Sequence, residues 1–269
     1  MKRVELKKVA AEIRIGDRTP VLEPNVFEDC ILCDNGEEIG FYIKDLREYS
    51  EKLTNLMKIA DLEFRSKRVP KQLLERSDVF EAVYKHGKTR KQAKKEQTIQ
   101  YSTILGSIPP KAHMRRPYPS YSSVHSVETA KSFIKSMILS ASEAGKIIND
   151  IVPALYAKQL ENISLVPKKW LFSDIYTSSI SNFNISAAYH QDRGNLVGSM
   201  NTIITKRQNS SGGCLHIPDY DVVFEQPDNS MLVYPAWRNC HGVTPIVQTH
   251  SHGYRNSLIF YALKAFLKK

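Results

Sequence analysis

The order of apolar and polar positions divides the chain in two. From Trp170 onward the apolar residues come in short runs: WLFSDIYTSSISNFNIS, MNTIITKR, CLHIP, YDVVFE, SMLVYP, GVTPIV and NSLIFYAL. Turn-forming clusters separate them, at Asn209–Gly213, Pro218–Asp219 and Pro227–Asn229. Many short strands at regular spacing predict an antiparallel sandwich or jelly roll, not a parallel α/β sheet.

Upstream the pattern is mixed. Residues 1–40 hold short apolar stretches ending in CILC and GFYI, with Asp34, Asn35 and Gly36 as a hairpin turn between two strands. Over 44–66 apolar residues recur at helical spacing, at Leu46, Tyr49, Leu53, Leu56, Met57, Ile59 and Ala60, which predicts a helix with one face on a core. Residues 126–163 read as two helices broken near Pro153, with Ser126 and Glu128 placed to cap the first. Between these helical regions, 67–96 is dominated by charge. Residues 100–125 are rich in Pro, Ser and Tyr, a composition that resists regular structure, and read as an ordered linker wrapped over the domain. The expected class is α+β: a jelly-roll core from about residue 170 with flanking helices. Residues 1–99 would be an extension packed on a domain formed by 100–269.

Composition changes this picture little. Hydrophobic content of 42% and charged content of 25% are ordinary for a globular chain of 269 residues. No apolar run is long enough to cross a bilayer, and the Lys-rich start MKRVELKKVA lacks the apolar stretch of a secretory signal, so a cytoplasmic protein is expected. Cys30 and Cys33 lie in a strand-like segment with no further ligands at zinc-finger spacing, and read as buried thiols. The net charge of +10 changes more. It fits either lysine-coated helix faces or a polyanionic partner such as nucleic acid. Two segments are candidates for phosphate contact. One is the cluster Lys85, Lys88, Arg90, Lys91, Lys94 and Lys95. The other is a loop with Arg115 and Arg116 beside Tyr118 and Tyr121, which offers charge for phosphates and rings for bases.

The densest chemistry lies between Tyr189 and Tyr261. His190 and Asp192 are one residue apart, so on extended chain both side chains point the same way. A third ligand must come from a strand distant in sequence. His241, just before GVTPIV, fits. His216 in CLHIP reads as a core or supporting histidine, and His250 and His252 as exposed loop residues. Two His and one carboxylate form the facial triad of non-haem Fe(II) oxygenases, which leaves metal positions open for a 2-oxo acid and O2. Arg255, Ser257, Ile259 and Tyr261 alternate along one strand face. The planar fork of Arg255 suits the far carboxylate of a 2-oxo acid, with Ser257 adding a hydroxyl. Taken singly, H-x-D is a common capping pattern and Arg255 could be a buried ion pair; their order and spacing together argue for the oxygenase site.

These segments (YHQDRGN, GSMNTIITKR, Gly212-Gly213, HGVTPI and YRNSLIFY) resemble the catalytic core of the TET/JBP group of Fe(II)- and 2-oxoglutarate-dependent dioxygenases, above all its phage and bacterial members. The resemblance spans Ser178 to Phe266. It implies a double-stranded β-helix, with Fe(II), 2-oxoglutarate and O2 as cofactor and cosubstrates. It implies hydroxylation of the 5-methyl group of 5-methylcytosine or thymine in DNA, on a base flipped out or single-stranded. His190, Asp192 and His241 match the iron ligands, and Arg255 and Ser257 match residues that bind the far carboxylate of 2-oxoglutarate. Asn195 and Tyr261 match residues near the target base. Where the eukaryotic cytosine enzymes have a base-contacting His, two positions past that tyrosine, this chain has Leu263, so the resemblance does not single out cytosine. The alternatives are a hydroxylase of a protein side chain or free nucleobase, a silent DNA-binding barrel, and a metal protein without 2-oxoglutarate.

Overall fold

The computed structural model describes residues 1–73, 87, 89, 91–92, 99–111 and 116–267. Arg115 and most of the 85–95 basic cluster lie outside the described residues. In chain order the strands are β1 (Lys2–Glu5), β2 (Cys30–Asp34), β3 (Glu37–Ile43), β4 (Gln72–Leu73), β5 (Tyr101–Ile108), β6 (Ser120–Tyr121), β7 (Ser178–Phe183) and β8 (Ala187–His190). They continue as β9 (Asn201–Gln208), β10 (Ser210–Gly212), β11 (Leu215–Ile217), β12 (Val222–Phe224), β13 (Met231–Tyr234), β14 (His241–Val243), β15 (Ile246–Gln248) and β16 (Tyr254–Tyr261). The helices are α1 (Glu51–Arg65), α2 (Lys131–Ile151) and α3 (Pro153–Ser164).

A large sheet runs β1-β2-β3-β13-β9-β16-β7-β5-β4, with β6 beside β5. A smaller sheet runs β12-β11-β14-β8, and β10 pairs with β15. Strand alternation sorts the core into two layers. Ile31, Phe41, Ile204, Val233 and Leu258 join Met57, Phe64, Phe133 and Met137 of α1 and α2 on one side of the large sheet. Their neighbours Leu32, Tyr42, Ile203, Leu232 and Tyr234 pack on the other side against Leu215, Ile217 and Phe224 of the small sheet. The helices therefore buttress one face, and the other closes on the small sheet.

Cys30 and Cys33 follow the same rule. They fall on opposite sides of β2, both buried, and are not paired. The β2–β3 turn has Asn35 at φ 53° and Gly36 at φ 77°, the left-handed pair that matches strand twist in a hairpin.

Three expectations are corrected. The segment 100–125 does not lack regular structure: β5 pairs with β7 from Tyr101↔Phe183 to Gly106↔Ser178. Its Ser102, Thr103 and Ser107 are buried, so sheet hydrogen bonds override a polar composition. Tyr49 and Ile59 are exposed: Tyr49 precedes α1, which starts at Glu51, and Ile59 lies off the helix face that buries Leu53, Met57, Ala60, Asp61 and Phe64. Ser126 and Glu128 do not cap α2, whose N-cap is Ala130. The Ser126 hydroxyl donates to the Ser123 carbonyl at 2.7 Å, and Glu128 pairs with Lys131. No helix among the described residues is long and apolar enough to cross a membrane.

Candidate active site

A cavity of about 420 Å³ opens between the two sheets, lined on one side by β7, β9 and β16 and on the other by β8, β11 and β14. The antiparallel register of β8 and β14 sets His190 directly opposite His241. Their rings are 4.3 Å apart. Asp192 lies just past the end of β8, held by its N–H donating to the Ala236 carbonyl at 3.1 Å. Ligand atoms of His190, Asp192 and His241 fall within 4.8 Å of one another. His250 and His252 are exposed, and buried His216 is bonded to the Tyr189 hydroxyl at 2.6 Å.

The hydrogen bonds of these groups test whether they fit a metal ion. His190 Nδ1 lies 2.8 Å from the Ala188 carbonyl, and His241 Nδ1 lies 3.1 Å from the Asn239 carbonyl. A carbonyl only accepts, so each Nδ1 carries the proton and each Nε2 keeps its lone pair for an ion. Burial, and then the neighbouring His190, pull the His241 pKa down to about 4, which keeps the ring neutral. Asp192 Oδ2 accepts from Asn201 Nδ2 at 2.9 Å and Asn195 Nδ2 at 3.4 Å, while Oδ1 faces His190. The donor set therefore fits a divalent cation of the Fe(II) type, with oriented ligands and open positions.

Asn201 also fixes Asn195. Its Nδ2 is committed to the carboxylate, so its Oδ1 accepts from Asn195 Nδ2, at 2.7 Å. The Asn195 amide is thus oriented, with its own Oδ1 turned away from both. Burial, with Asp192 close by, raises the pKa of both Tyr234 and Tyr261, two phenols that line the same cavity.

Arg255, Ser257, Ile259 and Tyr261 line the cavity from β16, as their alternation predicts. The intervening Asn256, Leu258 and Phe260 face the helical side, where Asn256 donates to Asp61 of α1. Arg255 is only 2% exposed and has no acidic partner among the described residues. Its Nη2 donates to Gln226 Oε1, and its buried Nε has no acceptor among the described residues. Burial, and then the charge of Arg207 opposite it on β9, pull its pKa down to about 9. A buried guanidinium with spare donors and no counter-ion is a site for an anion. Sequence reasoning missed Asn201, Gln226 and Tyr234 here. The first two are polar residues whose roles arise only from contacts across strands, and Tyr234 lies in a run that reads as core.

The fold and site fit an oxygenase of the Fe(II)/2-oxoglutarate class, and a family model agrees. Residues 111–264 match the family model Tet_JBP, described as the oxygenase domain of the 2OGFeDO superfamily. The match covers more than half of the chain, which belongs to this family. Among solved structures, NgTET1 in complex with 5mC DNA is 14% identical with a TM-score of 0.58, over 96% of this chain and 85% of that one. A bsmA homolog from Methylobium petroleophilum PM1 is 9% identical with a TM-score of 0.42, over 94% of this chain and 99% of that one. IDO from Bacillus thuringiensis is 10% identical with a TM-score of 0.43, over 84% and 90%. No curated protein matches the sequence.

Proposed function

We propose that this chain hydroxylates the 5-methyl group of a pyrimidine, 5-methylcytosine or thymine, in DNA. The observation that carries the oxygenase half is one cavity with a three-ligand cluster and the buried Arg255, which has no acidic partner among the described residues. His190, Asp192 and His241 would hold Fe(II), and Arg255 and Ser257 the far carboxylate of 2-oxoglutarate. Bound together with O2, the metal and cosubstrate supply the oxidising power that replaces a methyl C–H by C–OH. The protein's part is positional. Asn201 steadies Asp192, and Arg255 sets the depth of the cosubstrate. Asn195 and Tyr261 sit on the cavity wall nearest Asp192, where a flipped base would enter. We read the two facing sheets as the double-stranded β-helix, and residues 1–99 as an extension that adds β1–β3 to its edge beside β13.

Two observations support DNA as the substrate. The first is the similarity to NgTET1, solved with 5mC DNA. The second is the rim of the cavity. Lys264 follows cavity-lining Leu263, and its N–H donates to the carbonyl of Gly194, next to Arg193. Trp170 stacks on Phe266 at 5.5 Å, with Lys169 Nζ 5.2 Å from its ring and Lys168 beside it. Arg193, Lys168, Lys169 and Lys264 are exposed and make no ion pair among the described residues, so they are available to phosphates. Arg116, bridged to Lys111, is a further candidate contact, as is Arg115, which lies outside the described residues.

The test is incubation with Fe(II), 2-oxoglutarate and ascorbate and with DNA carrying thymine or 5-methylcytosine. Mass analysis of the digested nucleosides follows. Gain of one oxygen on either base is expected. Unmodified DNA, with 2-oxoglutarate consumed only when a protein or free nucleobase is supplied, would overturn the DNA reading and leave the oxygenase.

A further inference from the structure

Gln226 lies just past β12, is 1% exposed, and lines the cavity beside Arg255. Its Oε1 accepts from Arg255 Nη2 and from Thr205 Oγ1, the latter at 3.1 Å. Its backbone carbonyl accepts from Arg207 Nη1 at 3.1 Å. One residue thus touches both guanidiniums, which face each other across β9 and β16. Arginine has donors only, so the oxygen of the amide must be the atom turned to Arg255. The nitrogen is then turned away, and Gln226 Nε2 has no acceptor among the described residues.

Three residues lining the cavity thus carry donors without an acceptor among the described residues: Gln226 Nε2, Arg255 Nη1 and Ser257 Oγ. The amide character of Gln226 matters as much as its position. A carboxylate there would pair with Arg255 internally and repel an incoming anion. An apolar side chain would leave the guanidinium without its one acceptor among the described residues. The neutral amide holds the guanidinium in place, leaves its charge uncancelled, and adds a donor.

We infer that Gln226 is a ligand of the cosubstrate's far carboxylate and the residue that orients Arg255 for it. This rests on the reading of Arg255 given above. Thr205 supports the arrangement by holding Oε1 in place.

The test is calorimetric titration of 2-oxoglutarate into Mn(II)-loaded protein without oxygen, which reads binding without turnover. The binding of 2-oxobutyrate, which lacks the far carboxylate, is measured in parallel. Gln226→Glu should weaken 2-oxoglutarate about 100-fold and Gln226→Leu about 10-fold, the range for a lost hydrogen bond to a charged group. Both should leave 2-oxobutyrate and Mn(II) affinities within twofold of wild type. Circular dichroism checks folding; if Gln226→Glu does not fold, Gln226→Leu carries the test. Either of two results overturns the inference: 2-oxoglutarate binding within twofold of wild type while Arg255→Met loses it, or an equal loss of 2-oxobutyrate. If Arg255→Met also binds 2-oxoglutarate as wild type does, the reading of Arg255 itself has failed.

Discussion

Replacing Gly213 by alanine tests the packing that sets the direction of Arg255. Gly213 has φ +69°, a left-handed conformation, and its backbone lies against the arginine stem. A Cβ there would stand 2.5 Å from Arg255 Cδ, 2.7 Å from its Nε and 3.0 Å from Ile246 Cγ1. The stem cannot step aside freely, because its guanidinium is held by Gln226 and the residue is buried. Left-handed backbone with a side chain costs about 1–2 kcal/mol. Forcing a methyl into a filled site adds about 1–3 kcal/mol. At roughly 2–4 °C per kcal/mol for a chain near this size, the melting temperature should fall by roughly 4–20 °C. Gly36→Ala is the control: φ is +77°, with nothing within 4 Å of the added carbon, so it carries the backbone cost alone. The excess loss in Gly213→Ala over Gly36→Ala measures the collision with Arg255. Thermal unfolding and 2-oxoglutarate titration are run on both, with affinity expected to drop only in Gly213→Ala. Equal melting shifts and an unchanged affinity would refute the argued packing.

Four other outcomes are expected. Asn201→Leu removes a 2.9 Å hydrogen bond to Asp192 and should weaken Fe(II) binding by roughly 10–100-fold, read by anaerobic metal titration; unaltered affinity would remove its orienting role. Asp61→Ala strands the donors of Tyr254, Asn256 and Arg65, and should cost about 3–5 kcal/mol in urea unfolding; a loss below about 1 kcal/mol would count against that network. Burial lowers the pKa of His125, whose Nε2 accepts the Gly106 N–H at 2.8 Å. The unfolded chain then binds the proton more readily, so stability present above the unfolded value near 6.5 is lost as pH falls through it toward the folded value. His125→Gln should flatten that slope in unfolding titrations, and parallel slopes would contradict it. Reversing Lys168, Lys169 and Lys264 to Glu should weaken DNA binding and reduce its salt slope by about 1 for each phosphate no longer neutralised; wild-type binding would place the DNA elsewhere.

What could be read from the chain is what depends on local spacing. The H-x-D pair and the Arg255–Tyr261 alternation are strand-period patterns, and both reach the cavity as spacing predicts. Cys30 and Cys33, read as buried thiols in a strand, are both buried in β2. Strand β5 escaped because it is buried while carrying Ser102, Thr103 and Ser107, and such a strand has no apolar alternation to read. The choice of His241 over its rivals is visible in the sequence only as a preference. The β8–β14 register, which places it opposite His190, is a long-range property. Asn201 and Gln226 are further from reach still. Each is an ordinary amide until a neighbouring strand brings Asp192 or Arg255 to it.

The charges of the cavity also form a whole that no single motif shows. At one end stand two imidazoles that keep their Nε2 lone pairs and one carboxylate, so a divalent cation bound there leaves one positive charge. At the other end Arg255 adds a second, with no acid among the described residues to cancel it. Buried charges persist where something compensates them. A dicarboxylate spanning the cavity would cancel both at once, whereas a monocarboxylate would leave one. The cavity is thus complementary to the pair of metal and dicarboxylate together more than to either alone. That complementarity explains why the guanidinium is held by a neutral amide and flanked by a glycine: an acid at position 226 would cancel the charge, and a larger residue at 213 would turn it away.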